Sequence, residues 1–220
     1  MRFMTAVHTD VGLVKKVNQD SLLVLQADTE DGPILLAVIC DGMGGLSSGE
    51  IASACVITGF SDWFKLELPF MLRKGFQREA LKDSWDSLIR EANYRIKTYG
   101  KNHQVTMGTT CAALLLFQGV YYLLNVGDSR VYLIDENVFQ LTKDHTYIQQ
   151  ELDANRMTYE QSLVDPKRNA LTQCIGAGAN PVPDYFFGDV QPDQSFLLCC
   201  DGFRYAKNSS GQKTRRSLQK

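Results

Sequence analysis

Most of the features that sort a chain quickly are missing from these 220 residues. No apolar run approaches the roughly 20 residues that a membrane helix needs. The first residues, MRFMTAVHTD, lack the apolar stretch that marks a secretory leader. Charge of neither sign dominates: the net charge is −2 with 22% of residues charged. That excludes the basic footprint of a nucleic-acid binder and the acidic excess of a disordered chain. Six cysteines, at positions 40, 55, 111, 174, 199 and 200, contain no CxxC pair and sit mostly inside apolar runs. They read as buried thiols of a reducing compartment, not as a disulfide framework or a zinc site. There are only three histidines, His8, His103 and His145, and no metal-ligand spacing links them. No internal repeat or linker breaks the chain. These absences leave one globular domain, 44% hydrophobic and able to bury a sizeable core, expected in the cytoplasm, with neither nucleic acid nor membrane as a partner.

What is present is a pattern of strands, then helices, then strands. Ser21 to Gln26 and Ile34 to Cys40 are apolar runs joined by the polar turn ADTEDGP, a hairpin signal. Gly49 to Phe64 and Phe76 to Tyr99 carry apolar residues at helical spacing, the second most clearly through Leu81, Trp85, Leu88, Ile89, Ala92 and Ile96. Strands return at Thr110 to Phe117 and Val120 to Asn125 around the two-residue turn Gln118-Gly119. They continue at Arg130 to Ile134 and Val138 to Leu141 around Asp135-Glu136-Asn137, and at Ser195 to Cys200. The polar stretch from His145 to Gln173 has weak helical character. Such meanders predict a layered α/β fold of largely antiparallel sheets, covered on both faces. The last 17 residues, from Arg204, are polar and basic without periodicity, and read as a solvated tail. His8 is expected in a strand and His103 in a loop, and structural or gating roles are expected of all three histidines.

Two apolar strands end in the same way, ILLAVICDGMGG at Asp41 and FLLCCDGF at Asp201. A strand fixes an acid's position, and a following glycine lets the backbone turn sharply and lets a ligand approach the main chain. Two carboxylates brought together repel unless a cation neutralises them. With no histidine or cysteine motif nearby, oxygen ligation selects Mg²⁺ or Mn²⁺ over zinc. Asp20 in KKVNQD and Asp128 in NVGDSR supply two more acids at the ends of apolar strands. Taken singly, each of these acids reads as a turn or cap residue; their number turns the reading towards a metal centre.

At this point the residues resemble a family, the metal-dependent protein phosphatases of type 2C in their compact bacterial form. TDVG (Thr9 to Gly12), NQDS (Asn18 to Ser21), DGMGG (Asp41 to Gly45), MGTT (Met107 to Thr110), NVGDSRVYL (Asn125 to Leu133), LTKDHT (Leu141 to Thr146), NALTQCIG (Asn169 to Gly176) and CDGF (Cys200 to Phe203) stand in the family's order. The resemblance covers residues 5 to 203, so the domain is placed at 1–203, with 204–220 outside it. It implies a four-layer α-β-β-α sandwich and hydrolysis of phosphoserine and phosphothreonine in proteins, the products of a serine/threonine kinase, by a chain acting as a monomer. Two Mn²⁺ or Mg²⁺ ions, with a third weaker position, are implied, activating a water so that the protein needs no nucleophile of its own. By position, Asp41 resembles the carboxylate shared by both metals, and the Gly42 carbonyl and Asp20 resemble ligands of the second. Asp201 resembles a ligand of the first, and Asp128 with Asp201 the third position. Lys15 stands where the family has a phosphate-gripping arginine, but a lysine offers a point charge and no bidentate fork.

Three departures from the family pattern matter. No Asp-Asn pair follows Phe203, so the resemblance leaves the first metal with only Asp41 and Asp201 from protein. Gln19 replaces an acid of some relatives. Met43 stands where some animal members carry a histidine acid. The missing pair leaves two explanations, a truncated fold whose C-terminal end is missing, or a catalytically impaired relative that binds phosphoproteins. A third possibility, an aspartyl-phosphate enzyme, needs a DxDx[TV] motif that the chain does not contain.

Overall fold

The structure, a computed structural model, describes residues 3–12, 16–44 and 48–205. The chain begins with a long hairpin, β1 (Asp20–Thr29) and β2 (Gly32–Gly44). A helical run follows, α1 (Gly49–Asp62), a π-helical turn (Trp63–Glu67) and α2 (Leu68–Arg73), and then the long helix α3 (Arg78–His103). Strands β3 (Met107–Thr109), β4 (Cys111–Phe117), β5 (Val120–Val126), β6 (Arg130–Ile134) and β7 (Val138–Gln140) come next. Two short helices, α4 (Tyr147–Asp153) and α5 (Tyr159–Ser162), precede β8 (Asp184–Asp189), β9 (Ser195–Cys199) and a final turn of helix, α6 (Asp201–Tyr205).

All strand pairs are antiparallel. The larger sheet is ordered β1-β2-β4-β5-β8, with β3 on the far end of β2, and the smaller β7-β6-β9. Period-two alternation sorts β2 between two cores. Ile34, Leu36, Val38 and Cys40 join the helix-side core with Phe60, Trp63, Trp85, Ile89 and Ile96. Leu35, Ala37 and Ile39 face the other way, towards Phe196 and Leu198 of β9. The apolar strands are therefore continuous because both faces are covered, by α1 and α3 on one side and by the second sheet on the other. This is the sandwich of two antiparallel sheets with helices that the resemblance implies.

The Gln118-Gly119 turn forms with both φ values positive, as a two-residue hairpin loop requires. In α3, the expected residues Leu81, Trp85, Ile89, Ala92 and Ile96 are buried, and Leu88 packs against the same core.

Several elements differ from expectation. The helix expected to stop at Phe64 runs on through a π-helical turn into α2. Pro69 lies two residues past that turn, and a proline without an N–H and with a ring that crowds the carbonyl four residues back, at Lys65, widens the helix there. β3 and β8 had no signal: β3 has three residues, and β8 (DYFFGD) is bounded by acids and interrupted by Gly188. The polar segment after His145 holds only the short α4 and α5, each started by a threonine that accepts a hydrogen bond from the third residue on. His8 lies in no strand and is exposed, and His103 closes α3. Of the tail expected from Arg204, the first two residues belong to α6 and the rest lies outside the described residues.

Candidate metal centre

Asp20 is the first residue of β1, and its register partner is Asp41 of β2. Side chains directly opposite share a face. Asp41 follows Leu35, Ala37 and Ile39 in the alternation, so that face is the one turned to the second sheet. On β9 the alternation Phe196, Leu198 carries on to Cys200, which reaches the same space: its Sγ lies 3.0 Å from Asp20 Oδ2. Asp201, at the start of α6, shares a hydrogen bond with the Asp41 carboxyl, and Asp128, between β5 and β6, is close enough to act on Asp41 electrostatically. Four acids far apart in sequence thus converge at one end of the cleft between the sheets.

Their crowding shows in Asp41. Its carboxyl is pushed up to about 8, first by burial and then by the charges of Asp20, Asp201 and Asp128 and the hydrogen bond to Asp201. Burial, then the hydrogen bond to Asp20 and the charges of Asp20 and Asp41, push the Cys200 thiol up to about 12, so it is not a nucleophile at neutral pH. Ligand atoms of Asp20, Asp41 and Cys200 lie within 4.8 Å of one another.

The backbone around the acids is tightly held. Asp20 N–H donates to Asn18 Oδ1 at 3.0 Å, and Gln19 O accepts from Gly42 N–H at 3.1 Å and from Ser53 Oγ at 2.7 Å. Gly42 does not form the sharp turn expected of Asp-Gly, because β2 continues to Gly44 by pairing with β3. The glycine answers to crowding instead. A Cβ there would sit 2.3 Å from Gly49 O and 2.4 Å from Gln19 O. Asp201 also departs from expectation, since it opens α6 and does not end a strand.

The threonines of MGTT clamp Asp41. Thr110 Oγ1 accepts from Asp41 N–H at 2.9 Å, Thr110 N–H donates to Asp41 O at 2.9 Å, and Thr109 Oγ1 donates to the same carbonyl at 3.0 Å. Thr110 Oγ1 is also hydrogen-bonded to Ser129 Oγ at 2.7 Å, which ties DGMGG to GDSR. In GDSR, Gly127 (φ 101°) leaves no room for a Cβ, which would meet Thr110 Cγ2 at 2.6 Å. His145 braces this turn: Nδ1 accepts from Gly127 N–H at 3.2 Å, so Nε2 carries the proton towards Asp184 Oδ2 at 3.0 Å. The structural role expected of His145 fits these contacts. His103 stacks on Tyr99 at 3.9 Å, and His8 has no place in the centre.

Two features went unread in sequence. One is Cys200, whose signal was the alternation in β9. The other is a buried ion pair beneath the loop, where Arg130 grips both carboxylate oxygens of Asp144, Nε at 2.8 Å and Nη2 at 2.6 Å, and where Nη1 donates to Tyr132 Oη at 3.1 Å. Lys15 lies outside the described residues. No helix among the described residues is long and apolar enough to cross a membrane.

The chain and its fold are similar to those of known proteins. The family model described as "Protein phosphatase 2C" matches residues 12–219. A serine/threonine phosphatase, Stp, of Listeria monocytogenes is 31% identical over 197 residues, covering 88% of this chain and 75% of that protein. The solved serine/threonine phosphatase of S. agalactiae superposes with a TM-score of 0.79 at 26% identity, over 93% of this chain and 81% of that one. The catalytic domain of the phosphatase PstP, solved with two manganese ions, superposes at 0.69 with 27% identity, over 92% and 80% of the two chains. The chain belongs to the protein phosphatase 2C family.

Proposed function

We propose that this chain hydrolyses phosphoserine and phosphothreonine esters of proteins with two divalent cations, Mn²⁺ or Mg²⁺, held by Asp20, Asp41, Gly42 and Asp201, and with a third, weaker position between Asp128 and Asp201. The observation that carries the reading is the meeting of Asp41 with Asp20 across one β-ladder and with Asp201 at the start of α6, just past β9 of the other sheet. The donor set fits such ions. Clustered carboxylates with a backbone carbonyl alongside suit hard cations, and a buried acid that holds its proton to about 8 is relieved when a cation takes the proton's place.

When bound, two such cations supply Lewis acidity and a water of lowered pKa as nucleophile. The chain's residues supply the placement. Asp41, paired with Asp20 in the ladder and hydrogen-bonded to Asp201, would be shared by both ions, and Thr109 and Thr110, the latter held by Ser129, fix its backbone. The Gly42 carbonyl is assigned its ion contact on the family pattern, and the missing side chain lets β2 pass close against Gly49 and Gln19. Lys15 is assigned the phosphate contact on the family pattern. The substrates are phosphoproteins made by a serine/threonine kinase. The reading places the chain in the cytoplasm as a monomer, and its balanced charge supports the lack of a nucleic-acid partner.

The test is release of phosphate from phosphothreonine peptides with millimolar Mn²⁺. The expected outcome is metal-dependent turnover, lost in Asp41→Asn and with KM raised in Lys15→Ala. A chain that binds Mn²⁺ yet turns over no phosphopeptide overturns the enzymatic reading and leaves a phosphoprotein-binding module.

A further inference from the structure

The thiol in the cleft is not accounted for by hard-ion catalysis. Cys200 is half-buried, and the β9 alternation aims it into the space between the sheets. Its Sγ lies 3.0 Å from Asp20 Oδ2, and one ligand atom from each of Asp20, Asp41 and Cys200 falls within 4.8 Å of the others. A sulfur and two carboxylate oxygens this close are a mixed donor set. Hard ions such as Mg²⁺ gain little from sulfur, whereas Zn²⁺ takes cysteine sulfur and carboxylate oxygen together.

We infer that Cys200, with Asp20 and Asp41, forms a thiolate-carboxylate site that selects Zn²⁺ and ions like it over Mn²⁺ at this end of the cleft. The inference rests on the metal-centre reading above and adds a ligand to it. As the sulfur–metal bond forms, the Sγ–H bond breaks and its proton passes to solvent, so the thiol that donates to Asp20 becomes a ligand beside it. Because the site shares Asp20 and Asp41 with the proposed catalytic ions, zinc there displaces them. The centre would then be open to inhibition by zinc at concentrations where Mn²⁺ is outcompeted.

The experiment is a titration of the metal-free full chain with Co²⁺, a spectroscopic substitute for zinc, followed by Zn²⁺ competition against a chromogenic chelator. Wild type, Cys200→Ser and, as a control, Cys55→Ser are compared. The expected result is a near-ultraviolet sulfur-to-cobalt charge-transfer band in wild type and Cys55→Ser that is missing from Cys200→Ser. Zinc affinity should fall by about 10–100-fold in Cys200→Ser, the range typical of lost metal-site partners, while Mn²⁺ affinity changes little. Visible d–d bands in wild type without the charge-transfer band would overturn the thiolate ligand and leave the oxygen centre standing. No cobalt spectrum at all in wild type would overturn both. A wild-type spectrum without the band decides against the thiolate even where Cys200→Ser folds poorly.

Discussion

Asp41 sits under stress that its neighbours impose, and its effect on stability has a definite sign. In the folded metal-free chain its carboxyl is raised from the ordinary 3.8 to about 8. Its contribution to stability is therefore fully present below about pH 4 and is lost as pH rises through about 8. Thermal melts of the metal-free protein should fall in midpoint between about pH 4 and pH 8 more steeply than those of Asp41→Asn, and Mn²⁺ should remove the difference. At pH 8 the metal-free Asp41→Asn variant should melt a few degrees higher than wild type, since a domain of this size gains about 2–4 °C per kcal/mol. The same variant should retain less than about a thousandth of the activity, on the scale of essential catalytic groups. A residue that costs stability and carries the reaction is the signature of a site built for a missing charge. Gly42 shows the opposite economy. Gly42→Ala drives a Cβ into backbone on two sides and should destabilise the fold by about 1–3 kcal/mol in urea denaturation, as overpacking does, with metal affinity falling as Asp41 shifts.

At the scale of elements, the site is held by loops that clamp one another. Thr110 connects the end of β2 to the GDSR turn through Ser129, and His145 supports that turn from the far side. Thr110→Val keeps the volume and removes the oxygen, leaving Asp41 N–H without its acceptor. It should cost about 1–3 kcal/mol, the penalty for a buried donor left unsatisfied, and should weaken Mn²⁺ binding in calorimetry. The strands that place the acids were legible in sequence because their apolar runs are covered on both faces: ILLAVIC, TCAALLLF and SFLLCC leave no other reading. The short pieces were not. β3 is a strand only because β2 runs on past Asp41 and pairs with it, and the π-helical turn depends on Pro69 within a helix whose period otherwise looks ordinary. The four acids were legible from chemistry and motif. Cys200 was not, because a thiol among apolar residues reads as core until the register of β9 against β6 shows which way it faces.

Across the whole molecule, the fold brings residues 20, 41, 128 and 201 to one end of a cleft between two sheets. The pairing of Arg130 with Asp144 helps to keep the smaller sheet and the following loop in place. Breaking it with Arg130→Met takes the bidentate guanidinium away from the buried Asp144 carboxylate and should cost about 3–5 kcal/mol in chemical denaturation. Loss of folding at the small sheet would separate Asp201 from Asp41, so metal affinity should fall with stability in that variant. The central claim is that acids from both sheets act as one metal-binding unit. Calorimetric titration of Mn²⁺ into wild type, Asp41→Asn and Asp201→Asn tests it most directly. The account predicts two ions per wild-type chain and loss of at least one in each variant, whereas variants that bind as the wild type does would contradict it.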